Sequence, residues 1–459
     1  MSTVDQLTPL DATFLELEEA DETAHMHIGG LMVFEPRDDG PGPSLDDFES
    51  HLGERLVALP RYRQRLSEPH TGGLRWPHWE DAPGFDLHDH LRRAALPAPG
   101  GEDELLTWVS DYWAQRLDRR RPLWDMVLVE GLEDGRWALC TKTHHCMVDG
   151  VGSVDVAYVL LDPEPQPSGW AARAVVQPSP GNGGGVRSAV GRLAHTLDPR
   201  HLPELLERSR AAAAMLVRDE LIAAPSSSLN QPIGTRRRIA VVRIPLEDIK
   251  AVKRELGGTV NDVVLALVSG GLRRLLLARG EEPPRRGLRA MVPVNIRSAG
   301  ERLGLGNHIT SLFVHLPVAE EHPVARYLAT VKEAEALKAG NAALGGKTVV
   351  DLTALAPPVV HATLARSLFA TRLFNVTVTN VPGPPQPLYA LGCRLREVFG
   401  LVPLAADHAV GVAVLSYAGE MTFTISADHD SVPDVEVLAD GIRESLAELR
   451  ALPTPRKTT

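Results

Sequence analysis

The stretch Trp137-Ala138-Leu139-Cys140-Thr141-Lys142-Thr143-His144-His145-Cys146-Met147-Val148-Asp149-Gly150 decides how this chain is read. Its first nine residues form an apolar run of the kind that makes a strand. Successive side chains on a strand point to opposite faces. Trp137, Leu139, Thr141, Thr143 and His145 then share one face, and His144 takes the other. Two adjacent histidines so divided cannot converge on one target, so one is expected to work and the other to support it. A sharp turn follows. Gly150 would let backbone pass close to the histidines or adopt a positive φ, and Asp149 can return as an acceptor that fixes a histidine. Imidazole, with an unperturbed pKa of about 6.5, suits general-base work on a hydroxyl or thiol. A satisfied polar cluster fits the same spacing. A metal site fits it less well, because the histidines face apart and Cys146 lacks a partner at ligand spacing.

Upstream, Met126 to Val129 is a second apolar run, and Asp134-Gly135 between the two is a strong hairpin signal. Downstream, proline and glycine crowd residues 163–169 and 178–185, the composition of an extended or flexible crossover. A helix is expected over about 201–223. The reading is therefore an N-terminal domain over 1–162, a linker and crossover helix over 163–229, and a C-terminal domain over 230–459. In that second half Leu246, Ile249, Val252 and Leu256 keep helical spacing and stop at Gly257-Gly258. Asn261-Asp262 introduces a buried helix over 263–277 as its polar cap. Strands are expected at 289–294, 309–316, 374–381 and 410–417. The last pairs with 421–427 across Ala418-Gly419, and a helix over about 433–452 closes the chain. Strands and helices alternate in both halves with antiparallel hairpins, so the fold class is α/β, an α+β sandwich in each domain. The glycine fingerprints of a doubly wound nucleotide fold are missing.

A chain of 459 residues is long for one core, which agrees with two domains. The formal charge of -11 argues against nucleic acid as a partner. Arg119-Arg120-Arg121 and Arg236-Arg237-Arg238 are local exceptions, read as solvated surface or as sites for the phosphates of a coenzyme. Three cysteines without paired spacing suggest a reducing compartment. The start lacks the pattern of a secretory signal, and no uncharged apolar run is long enough to span a bilayer. The chain is expected to be soluble or peripheral, in the cytoplasm.

Other motifs fail. Gly345-Gly346-Lys347-Thr348 ends like a phosphate loop but has Asn341 where glycine is needed. Ser153 is flanked by Val151 and Asp155, not by the glycines of a nucleophile elbow. Direct transfer without a covalent intermediate is the more natural mechanism.

The chain resembles the bacterial wax ester synthase/diacylglycerol acyltransferase family over nearly its whole length. The resemblance rests on the opening Leu7-Thr8-Pro9-Leu10-Asp11-Ala12-Thr13-Phe14-Leu15, on His25-Met26-His27-Ile28-Gly29-Gly30, on Pro122-Leu123-Trp124, and on His144 to Gly150. It continues through Val260-Asn261-Asp262-Val263, Pro293-Val294-Asn295-Ile296-Arg297 and Asn380-Val381-Pro382-Gly383-Pro384. Order and spacing together carry it. The resemblance implies two chloramphenicol acetyltransferase-like domains around a central channel. It implies transfer of a long-chain acyl group from acyl-CoA, a co-substrate, to diacylglycerol or a long-chain alcohol, with no cofactor and no metal. His145 would be the base, with His144 beside it, Asp149 a structural aspartate, and Arg297 the candidate partner of Asp149. Gly150, Asn261, Asp262, Pro122, Leu123 and Trp124 would be structural or substrate-binding. The alternatives are a condensation-type transferase using a carrier-protein thioester or a non-lipid acceptor, and a weakly active lipid-binding homologue. Gln231 departs from the family's usual glycine after Asn230, which puts that turn in doubt.

Overall fold

The computed structural model describes residues 5–37, 40, 42–68, 77–148, 156–166, 223–295, 309–344 and 373–451. Asp149, Gly150, Ser153, Arg297, Gly345 to Thr348 and almost all of the expected crossover helix lie outside the described residues.

The first-half strands are β1 (Asp5–Gln6), β2 (His27–Phe34), β3 (Gln64–Leu66), β4 (His78–Asp81), β5 (Leu91–Ala95), β6 (Trp124–Glu130) and β7 (Trp137–His144). Next come β8 (Arg237–Pro245), β9 (Leu288–Asn295), β10 (Ile309–Leu316) and β11 (Val376–Pro382). The last are β12 (Tyr389–Ala390), β13 (Cys393–Leu401), β14 (Val410–Tyr417) and β15 (Glu420–Asp428). The longer helices are α1 (Pro9–Ala20), α2 (Leu45–Arg55), α3 (Glu102–Trp113), α4 (Leu246–Leu256), α5 (Val260–Ala278), α6 (Pro323–Leu344) and α7 (Val435–Arg450).

Two six-stranded sheets carry the fold, in the orders β12-β13-β2-β7-β6-β5 and β10-β9-β11-β14-β15-β8. The mixed α/β class expected from the sequence is the class observed. β12 and β13 follow residue 230 in the chain yet complete the first sheet, where β13 pairs antiparallel with β2. The two halves therefore interlock. Ile239 and Val241 of β8 share one apolar cluster with Leu105, Val109, Tyr112 and Trp113 of α3 and Phe399 and Leu401 of β13.

Local chemistry explains the elements. Thr8 and Asp11 form a reciprocal capping box at the start of α1, with Pro9 in its first turn. α4 ends where Gly257 and Gly258 take φ of 84° and 76°, a region that costs glycine little. The hairpins turn as the sequence suggests, with Asp134 and Gly135 at positive φ between β6 and β7, and Ala418 and Gly419 between β14 and β15. α5 is buried along most of its length, from Val263 to Leu276, between the second sheet and α7. Each buried valine or leucine among them contributes about 2 kcal/mol by leaving water.

One expectation needs correction at α5. Its N-cap is Thr259, and Asn261 and Asp262 lie inside the first turn. Asp262 completes the capping box by accepting from the Thr259 backbone N–H at 2.8 Å. The capping box places the helix start at Val260, three residues earlier than the Asn-Asp pair suggests.

Candidate active site

β7 lies between β2 and β6, and all three deliver groups to its end. It stops at His144, one residue sooner than the sequence reading placed it. His145 is thus not on a strand face but opens a turn, closed by the Met147 N–H donating to the His144 carbonyl at 2.9 Å. Both neighbouring strands brace this turn. From the β6 side the Leu123 carbonyl accepts the His144 N–H at 2.9 Å, and from the β2 side the Met26 carbonyl accepts the His145 N–H at 2.8 Å. The Pro122-Leu123-Trp124 motif is itself held, since the Trp124 indole donates to the Tyr62 carbonyl at 2.8 Å and stacks on His90.

The two histidines occupy different surroundings. His144 is buried, with Nε2 3.0 Å from the Glu18 carboxylate and Nδ1 accepting the Cys146 backbone N–H at 3.1 Å. Burial lowers the pKa of His144, against the opposing effect of the hydrogen bond it donates to Glu18. His145 is half-buried, and its ring stacks on Phe14 with centroids 3.9 Å apart. His27 is fully buried and stands 3.6 Å from Glu18. Burial alone would raise Glu18, but the hydrogen bond with His144 and neighbouring positive charge hold its carboxyl well below the usual range. Arg116 and Arg119 bind Glu18 from the surface side, at 3.2 and 3.3 Å.

Cys146 is buried, and burial pushes its thiol well above the ordinary value. Cys140 is pushed up to about 12 for the same reason. Neither is placed to be a thiolate nucleophile. Among the described residues no group of three or more histidine, cysteine and acidic side chains is arranged to hold a metal ion.

Asn261 and Asn380, from two separate motifs, meet in the second domain, where the Asn380 amide donates to Asn261 Oδ1 at 3.3 Å. Most arginines of the two clusters pair with acidic neighbours. Arg119 binds Glu18 and Glu19, Arg120 binds Asp118, Arg121 faces Asp89, and Arg236 binds Asp430. Arg237 is buried, bonded to the Thr23 and Gly234 carbonyls and close to Asp428. Gln231 is exposed and is not among the residues at positive φ, so the turn after Asn230 accepts a side chain there.

Sequence reasoning missed Glu18 and the role of Phe14. The available signal was spacing. Positions 14 and 18 are four apart on α1 and lie on one face.

Comparison with known proteins gives a consistent answer. The model of the wax ester synthase/diacylglycerol acyltransferase catalytic domain matches residues 7–264, and that of the family's C-terminal domain matches 305–450. A probable diacylglycerol O-acyltransferase of Mycobacterium tuberculosis is 36% identical over 468 residues, covering 99% of this chain and 98% of the relative. The solved wax ester synthase/diacylglycerol acyltransferase of Marinobacter aquaeolei is 29% identical with a TM-score of 0.72, covering 97% of this chain and 98% of that one. The first condensation domain of the calcium-dependent antibiotic synthetase has a TM-score of 0.69 at 20% identity, covering 99% of this chain and 98% of that one, a likeness of fold alone.

Proposed function

The chain belongs to the wax ester synthase/diacylglycerol acyltransferase family, and on that premise we propose that His145 is the general base of its acyl transfer. The enzyme moves a fatty acyl group from acyl-CoA to the hydroxyl of diacylglycerol or a long-chain alcohol, giving triacylglycerol or wax ester. His145 takes the proton of the acceptor hydroxyl as its oxygen attacks the thioester carbon. The carbon–sulfur bond breaks, and the CoA thiolate leaves with the proton that His145 gives back. A positioned base of this kind is worth roughly 10²–10⁴ in rate.

The observation that carries this reading is the division between the histidines. His144 is sealed against Glu18, whereas His145 is only half-buried and rests on Phe14. The buried, unreactive thiols favour direct transfer over an acyl-enzyme. Family likeness assigns Asp149 a structural role with Arg297 its proposed partner, and Gly150 a structural or substrate-binding one. Pro122, Leu123 and Trp124 brace the turn, Asn261 meets Asn380, and Asp262 caps α5. The reaction uses acyl-CoA as co-substrate and calls on no cofactor or metal.

Burying an acyl chain of about fifteen methylenes is worth on the order of 12 kcal/mol, so a long apolar channel is part of the proposal. No helix among the described residues is long and apolar enough to cross a membrane. A neutral lipid acceptor is then met at a surface, and we place the enzyme in the cytoplasm, peripheral to the membrane or to lipid inclusions. The test is incubation with labelled palmitoyl-CoA and either hexadecanol or dipalmitoylglycerol. Wax ester or triacylglycerol is expected. No product with either would transfer the assignment to a carrier-delivered acyl group or another acceptor.

A further inference from the structure

We propose that Glu18 is a positioning residue which, through His144, fixes the turn that carries His145. The proposal rests on His145 being the base, and its first test does not depend on activity.

Glu18 is among the most buried charged groups in the first domain, with its side chain 3% exposed. A buried carboxylate is costly unless it is paired. Arg116 Nε and the Arg119 guanidinium supply permanent charge at 3.2 and 3.3 Å. An ionised carboxylate only accepts hydrogen bonds, so His144 must donate to it from Nε2. At the other side of the ring the Cys146 backbone N–H donates, so Nδ1 must be bare. Both contacts select the same neutral tautomer. Protonation at Nδ1, or exchange of the two nitrogens, would set two donors face to face at Cys146.

This ring links two elements. Its Nε2 is tied to α1, and its Nδ1 is tied to the residue just beyond His145. Phe14, one helical turn before Glu18, supports the ring of His145. One face of α1 therefore holds both histidines, His144 by a charge-assisted hydrogen bond and His145 by stacking. The Thr8–Asp11 capping box fixes where that helix begins, so the opening motif and the histidine motif act as one unit. Glu18 has no path to the acceptor proton, because His144 turns its two nitrogens to Glu18 and to backbone.

The first measurement is the long-range 15N–1H spectrum of the histidine rings in the unmodified protein, with His144 assigned by comparison with His144→Asn. A neutral Nε2–H ring is expected at neutral pH. A protonated ring or the Nδ1–H form overturns the proposal. The second compares Glu18→Gln with Glu18→Leu. The side-chain amide oxygen introduced by Glu18→Gln can still accept from Nε2, so kcat within about threefold of the parent is expected. The leucine variant is expected to lose about 100-fold in kcat, the scale of a reacting group displaced by about an ångström, with KM for acyl-CoA unchanged. Parental kcat in Glu18→Leu, or equal loss in both variants, overturns the proposal. Should Glu18→Leu fail to fold, the ring spectrum of the parent and the kcat of Glu18→Gln decide it.

Discussion

The rings of Phe14 and His145 lie parallel to within 9°, with centroids 3.9 Å apart. Phe14 sits on α1 and packs against a small apolar cluster of Leu17, Ala24 and Met26, which fixes the aromatic platform. Stacking of this kind is worth about 1 kcal/mol beyond area burial, and it restricts the imidazole to one plane. Phe14→Ala should therefore lower kcat by about 10- to 100-fold while Phe14→Tyr stays near the parent. Steady-state kinetics at saturating acyl-CoA check this. Unchanged kcat in Phe14→Ala would show that the platform is dispensable.

Acid should destabilise the fold from about pH 6.5 downward. His25, His27 and His144 all have pKa values lowered below 6.5, chiefly by burial. Their folded values lie under the unfolded value, so the unfolded chain takes up protons that the folded chain does not. Stability is complete above 6.5 and declines as pH falls, by up to about 1.4 kcal/mol per pH unit for each such group. Urea midpoints at pH 7.5 and 5.5 measure it, and equal midpoints would contradict it.

Gly29→Ala should fail to fold or lose about 3 kcal/mol. A Cβ at this position of β2 would stand 1.9 Å from the Thr141 carbonyl oxygen on the paired strand β7. Backbone cannot yield as a side-chain end can. Soluble yield and the urea midpoint give the answer.

Lys142→Met should cost about 2 kcal/mol. The buried Lys142 ammonium donates to the Tyr112 and Gln115 carbonyls at 2.6 and 2.8 Å and lies over the Tyr112 ring. Burial brings its pKa down to about 8 from 10.5. The folded value is below the unfolded one, so Lys142 adds stability as pH rises from about 8 towards 10.5. The methionine variant should lack that rise, which urea midpoints at pH 7.5 and 9.5 can compare.

Much of the fold was legible because local patterns set it. β10 and β14 run over the residues expected as strands, and Gly257-Gly258 and Asp134-Gly135 turn the chain where glycine chemistry predicts. The partner of β13 was not legible. Cys393 and Leu395 pack in one apolar cluster and Phe399 and Leu401 in another, across a register shift, and nothing local says that β2, about 360 residues away in sequence, is the neighbour. At the site, the histidine pair stood out by composition. Glu18 did not, because Glu16, Glu18 and Glu19 look alike in sequence and only packing buries the middle one against His144. The end of β7 was read one residue late because strand pattern carries no mark for the backbone bonds from Leu123 and Met26 that begin the turn.

Whether His145 takes the acceptor proton is measured most directly by product formation by His145→Ala beside the parent. Both would receive labelled palmitoyl-CoA and the better acceptor, at matched folded concentration verified by circular dichroism. Loss of at least about 100-fold in kcat with acyl-CoA binding retained is expected. Product formed by His145→Ala at the parental rate would contradict it.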